Sequence, residues 1–488
     1  MPILPSNRLL LGALLLGGAL FLATPHASAP QASALPELGD PGGSYSQQDE
    51  YRLGRAWLRA FRAHAGQWRD PITADYVDSL VLRLLPNAQL QDIRPIIVLV
   101  SSRALNAFAV PGGVIGINTG LFSYAPDRDA FASVIAHEMG HLSQHHFARE
   151  MARSENAQLP TMAALLAGMV LGATGGGSLG VATIAGTQAA TLQNQLTYSR
   201  RYEQEADRVG LQALARSGMD PMAMPRMFRA MQQLASMQGN TPPEFLLSHP
   251  MTSSRLSDTT SLAQQYAGNN PQPEVGPDYD MIRARAMRAM SMEDPQAVRT
   301  RLEQDNADPL ALRYLAALTA SVQDRHDEAL AAFDALAAEL PDNLIVTASA
   351  ADAALDAGRR DEAVARSERI LRLTPGYYPA RMIRDEALLG ADPQQAFRDL
   401  RELAAQRPEE PDIWNLLAEA AGRSGNDGWG HLALAERLQL VGNIDDAMAQ
   451  LDMAEQASQE SGDYALTARI RERREAYRGY RETLENFR

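Results

Sequence analysis

The sequence predicts an α+β domain, mostly helical with a small sheet, followed by an all-α array of helical repeats. Three observations carry that prediction. Short β-branched runs interrupt a helical pattern ahead of residue 123. A stretch rich in Gly, Asn and Pro separates two regions of different pattern between Gln264 and Asp280. Beyond it, a motif recurs with a period near thirty-four residues.

The elements follow in order. From Ser46 to Pro86 the spacing of Tyr51, Leu53, Trp57, Leu58 and Phe61 marks one helical face. Arg94 to Val100 reads as a strand, and Ala107 to Phe122 as two strands broken at Pro111-Gly112-Gly113. Asp129 to Arg153 reads as one long helix, and helical pattern returns over Ser199–Ser217 and Pro221–Met237. The apolar, glycine-rich and almost uncharged segment 162–191 reads either as a buried helical hairpin or as a lid or membrane-touching hairpin. In the C-terminal half Pro309, Pro341, Pro375 and Pro408 are separated by 32, 34 and 33 residues. Asp327-Glu328-Ala329, Asp361-Glu362-Ala363 and Gln394-Gln395-Ala396 keep the same period, and Asp445-Asp446-Ala447 follows out of step. Each unit reads as two amphipathic helices ended by a proline, which is the tetratricopeptide signature. The expected organisation is a leader over 1–34, an α+β domain over 35–267, a linker over 268–280 and repeats over 281–488.

Composition narrows the function. The 488 residues are 45% hydrophobic and 21% charged, as in folded globular proteins. A formal net charge of −14 excludes a general nucleic-acid binder, which needs a basic face to displace counterions. All 45 basic residues are arginine, so no single arginine is informative by type alone. Cysteine is absent, which leaves His and carboxylates to hold any metal. Arg8, the apolar run Leu9–Ala23 and the small-residue triplets Ala27-Ser28-Ala29 and Ala32-Ser33-Ala34 describe a secretory leader. Pro30 disfavours the first cleavage site, so cutting is expected after Ala34.

The chemistry sits in His137-Glu138-Met139-Gly140-His141. Two histidines four apart leave one helical face and can share a zinc ion, while Glu138 is set to take a proton from a nearby water. A third ligand is needed. A same-helix continuation fails, because Gln144 and Phe147 stand where Gly and His would be required. His145 and His146 lie too far along a continuous helix and read as ordinary polar residues. A distant acid remains. Glu203 and Asp207 share a helical face and suit a ligand with a supporting carboxylate, whereas Glu205 points elsewhere; such pairs are also common on solvated helices.

These two motifs, with Asn106–Gly113 and Ser248-His249-Pro250 followed by Arg255, resemble the metallopeptidases related to the CAAX prenyl protease. The resemblance implies a zincin-like domain with Glu203 as third zinc ligand and Asp207 beside it. It implies His249 and Arg255 near the substrate carbonyl, supporting the oxyanion. It also implies that His249 can fill the open zinc position and hold the enzyme latent. With a leader before and repeats after, the chain is similar to periplasmic members that attend to outer-membrane β-barrel proteins. Unfolded or partly assembled outer-membrane proteins are then the expected clients, and the repeats an expected contact with the β-barrel assembly machinery. Peripheral membrane contact is expected through 162–191.

Two surfaces are expected to receive clients: the strand Val114–Gly120 by strand addition, and the concave side of the repeats. Competing readings are a chaperone-like binding protein with a latent zinc site, and an integral membrane peptidase anchored by 9–23 and 162–191.

Overall fold

A computed structural model describes residues 46–90, 93–153, 200–237, 243–267, 276–291 and 294–485. The expected leader and the apolar segment 162–191 lie outside them. Among the described residues no helix is long and apolar enough to cross a membrane.

Helix α1 (Gln47–His64) starts at a capping box in which Ser46 and Asp49 satisfy each other's backbone N–H. Helix α2 (Pro71–Leu84) has Asp70 as N-cap and Pro71 in its first turn. Three strands follow: β1 (Ile96–Val100), β2 (Ala107–Val110) and β3 (Val114–Asn118). The β2–β3 turn uses Gly112 and Gly113 at φ +76° and +82°, which glycine adopts without steric cost. Their order in the sheet is β1-β3-β2, with β3 parallel to β1 and antiparallel to β2.

This order corrects one expectation. β3 is paired on both sides and cannot add a strand; the edges are β1, whose outer side already bonds Gln67 and Trp68, and β2. The Asn118 amide donates to Asn106 O, and antiparallel pairs alternate. Phe108 and Val110 therefore bond β3, while Ala107 and Ala109 turn their N–H and C=O groups away from it, on a buried strand that packs against the helix carrying Glu138.

After α3 (Leu121–Tyr124), helix α4 (Arg128–Ser143) begins at the Asp127 N-cap and is buried from Arg128 to Leu142. A helix covered on every side needs no amphipathic stripe, and α4 has none. The long helix expected over 129–153 is two: α4 ends at Ser143 and α5 (His146–Arg153) starts after His145, a left-handed residue at φ +47°. Helices α6 (Arg200–Arg216), α7 (Ala223–Met237), α8 (Glu244–Ser248) and α9 (Ser253–Ala267) complete this part. α6 crosses α4 through glycine. A Cβ on Gly140 would stand 2.7 Å from Ala206 O, and one on Gly210 2.7 Å from Ala136 O.

Helix α10 (Asp278–Met290) begins inside the expected linker. Helical hairpins then follow, Pro309–Val322 with His326–Glu339, Leu344–Asp356 with Arg360–Leu373, and Tyr378–Leu388 with Pro393–Gln406. Their motif alanines Ala329, Ala363 and Ala396 are fully buried where helices touch. Pro341, Pro375 and Pro408 each follow a hairpin, and Pro309, which follows α10 and the helix Pro295–Gln304, also opens the next helix. Pro411–Arg423 and Asp427–Leu440 form the irregular pair before Ile444–Glu460 and Tyr464–Glu485.

Repeats and peptidase elements share one apolar core, running from Ile72 through Phe131 to Ala387. The helices Leu344–Asp356 and Tyr378–Leu388 pack against α2, as does α10. Arg285 of α10 donates to Asp70 at 2.6 Å, to Tyr314 Oη at 2.9 Å and to Ser349 Oγ at 3.0 Å. Helix α2 thus lies against the first helices of two repeat hairpins.

Candidate metal centre

The buried helix α4 carries His137 and His141 one turn apart, and α6 brings Glu203 to them because the glycine contacts let the two axes close up. His249 arrives as the C-cap of α8. These four residues are all buried, and their potential ligand atoms lie within 4.8 Å of one another. His137 Nε2 is 3.1 Å from His141 Nε2 and 3.3 Å from His249 Nδ1. Glu203 Oε1 is 3.1 Å from His249 Nδ1 and 3.4 Å from His141 Nε2.

The donor set fits a small divalent cation. Bonds of about 2.0–2.1 Å in a tetrahedron put neighbouring ligand atoms about 3.3–3.4 Å apart, close to the separations seen. Asp207 Oδ1 stands 3.0 Å from His137 Nδ1, which places the ring proton there and leaves a lone pair on Nε2. Several lone pairs and a carboxylate turned towards one point are costly in a dry interior unless a cation sits among them. Burial acts to depress His141, and its pKa lies well below the ordinary value, so the ring stays neutral. Against the same burial, His249 and His137 hold Glu203 well below the usual carboxylate range.

Glu138 faces the other way along the helix turn. It is buried, and neither carboxylate oxygen reaches hydrogen-bonding geometry. Its polar neighbours are the Ala109 amide of β2 and His249 Nε2 at 3.6 Å. Burial lifts its carboxyl above the ordinary value, against the pull of His249 and His137. A carboxylate short of partners is a stronger base than a solvated one. A cleft lined by His141, His145, Phe147, Ala109, Pro111 and Gly112 opens at the β2–β3 turn.

Arg255 is placed differently from the oxyanion expectation. Its Nε and Nη2 grip Asp207 at 2.8 and 2.7 Å, and Nη1 lies 2.8 Å from Glu203 Oε2 and 2.9 Å from Pro250 O. With every nitrogen committed behind the carboxylates, it acts as a clamp that orients Glu203 and Asp207. His249 stands at the fourth corner of the cluster, not apart from it.

His146 and Glu205 were missed by sequence reasoning. His146 is fully buried, its Nδ1 2.9 Å from His141 Nδ1 and its Nε2 3.1 Å from Glu205 Oε2. Burial lowers His146 to about 4, and despite partial burial Arg149 and His146 hold Glu205 at about 2. The one signal was the His145-His146 doublet in a chain with 9 histidines; the helix break that makes it useful is not written locally.

Residues 71–263 match the model of peptidase family M48. The chain is 31% identical over 434 residues to the beta-barrel assembly-enhancing protease of Escherichia coli O157:H7, covering 88% of each chain. It is 30% identical over 463 residues to the protein of the same name from Yersinia pestis, covering 91% of this chain and 92% of that one. It is 29% identical over 154 residues to the mitochondrial metalloendopeptidase OMA1 of Arabidopsis thaliana, 32% of this chain and 28% of that one. On this likeness and the buried His/Glu cluster, the chain is a metallopeptidase and belongs to peptidase family M48.

Proposed function

We propose that this chain is a zinc-dependent endopeptidase of the periplasm. It hydrolyses peptide bonds in misfolded or stalled outer-membrane β-barrel proteins and assists their assembly. The observation that carries the reading is the convergence of His137, His141 and Glu203 beside the unpartnered carboxylate of Glu138. Without cysteine, two imidazoles and one carboxylate make a donor set suited to catalytic zinc. The names of the relatives support the client class, and the leader ending at Ala34 supports export.

His137, His141 and Glu203 would hold the ion, which when bound supplies Lewis acidity for water activation and carbonyl polarisation. Glu138 accepts the proton of the attacking water and returns it to the leaving amine. Asp207 and Arg255 keep His137 and Glu203 in place. An extended client lies beside β2, near Glu138, and is held through its main chain. Main-chain bonding of this kind tolerates many sequences, as a quality-control enzyme requires. The repeats engage unfolded outer-membrane proteins or the β-barrel assembly machinery, and 162–191 contributes membrane contact.

A second reading draws on His249 at the fourth corner. The resting protein is then latent, binding clients as a chaperone until one displaces this imidazole. Glu138→Gln tests the primary reading: the variant should purify with one zinc and lose about 10²–10⁴-fold in cleavage of casein or an unfolded barrel protein. Cleavage that persists in Glu138→Gln would refute the mechanism. His249→Ala should keep zinc and cleave faster than the parent if the fourth corner is a latch.

A further inference from the structure

We propose that His146 is a positioning residue, linking the metal ligand His141 to Glu205 through a two-step hydrogen-bond relay. The inference rests on the zinc-site reading above. On a continuous helix the fifth residue after His141 would point about 140° away from it. Here α4 stops at Ser143 and His145 takes a left-handed conformation, its Nδ1 2.9 Å from Glu50 Oε2 on α1. A non-glycine residue held at positive φ is a feature that the surroundings must enforce. Its effect is to fold His146 back beneath His141.

The proton order follows from the contacts. Ligation through His141 Nε2 leaves the hydrogen on Nδ1, which donates to His146 Nδ1 at 2.9 Å. His146 then carries its own hydrogen on Nε2 and donates to Glu205 Oε2 at 3.1 Å. Glu205 is fixed from outside by Arg149 Nη1 at 2.7 Å and Arg201 Nε at 2.9 Å. The His146 ring is stacked on Tyr202 at 4.5 Å, so it is held in plane as well as in direction. Thus α5 and α6 together set the tautomer and orientation of a ligand on α4. Such outer partners typically change metal affinity by roughly 10–100-fold when removed.

The test is zinc affinity of the purified full chain, measured by competition with a chromogenic chelator, beside thermal melts. The parent should bind one zinc. His146→Phe keeps a stacking ring but no acceptor, and should bind zinc roughly 10–100-fold more weakly. His146→Asn places Oδ1 near the lost Nδ1 and should recover most of that loss, and Glu205→Gln should lose less than His146→Phe. Equal affinity of His146→Phe and parent overturns the relay. So does equal weakness of His146→Phe and His146→Asn, which would mean the ring matters only for packing. A parent that binds no zinc removes the site reading itself and the relay with it. If His146→Phe does not fold, Glu205→Gln decides: weaker zinc binding than the parent supports the relay, and equal affinity overturns it.

Discussion

Two buried polar clusters in this molecule use similar residues to opposite ends. At the junction, Arg285 donates to Asp70, Tyr314 and Ser349, and Ser349 passes its own hydrogen to Ile345 O at 2.7 Å. Donors and acceptors alternate, and burial's tendency to lower Arg285 is overcome by Asp70, so the cation is retained. At the metal centre the acceptors face one another. Three imidazoles and Glu203 converge, Glu138 lacks partners, and the nearby cation Arg255 serves Asp207 and the outer oxygen of Glu203. Burial of charge alone therefore does not distinguish a structural network from a functional one. The direction of the lone pairs does.

This contrast can be broken in four ways, beginning with the largest effect. Glu203→Ala removes one corner of the cluster, so purified protein should carry no stoichiometric zinc by metal analysis and show no peptidase activity. A variant that retains one zinc per chain would sink the four-corner account. Arg285→Ala should leave zinc content unchanged yet cost about 3–5 kcal/mol in denaturant unfolding, because it strands Asp70, Tyr314 and Ser349. A loss in the range of a surface pair would mean that the apolar core alone joins repeats to peptidase. Gly210→Ala drives a Cβ against Ala136 O and should cost about 1–3 kcal/mol. Because α6 also carries Glu203, zinc affinity should fall with it; stability loss without weaker zinc binding would separate helix spacing from ligand placement.

The smallest effect is a pH slope. Asp385 is fully buried in the repeats, and burial raises its carboxyl to about 7 despite Arg384. The folded value lies above the ordinary unfolded one of about 3.9. Its stabilisation is therefore full below about pH 4, declines as pH rises towards 7, and is absent above that. Urea midpoints of the parent should drop between pH 5 and 8, and Asp385→Asn should show a shallower drop. An unchanged slope assigns the pH response to other groups.

Much of the site was legible locally. His137 and His141 face one point because helical rise and twist put residues four apart on one side. The strands and their glycine turn were visible as β-branched runs broken at Pro111-Gly112-Gly113, and the repeat region as a period. What failed was non-local. β3 looked as able to add a strand as β2, since alternation cannot say which strand lies in the middle of a sheet. The oxyanion role of Arg255 was implied by the family resemblance, and a local motif does not reveal which acceptors surround a guanidinium. The α4–α5 break escaped notice because it depends on Glu50, nearly a hundred positions earlier, holding His145.

By itself the sequence determined the pair of imidazoles, the base between them, the helical hairpins and the absence of any thiolate ligand, all consequences of residue type and short-range periodicity. Tertiary structure brought Glu203, offered by the sequence as one helix-face carboxylate among many, to the imidazoles, put β3 in the middle of the sheet and turned His146 under His141. Each depends on how segments distant in the chain approach one another; two glycines at a helix crossing admit Glu203, and one residue held at positive φ turns His146.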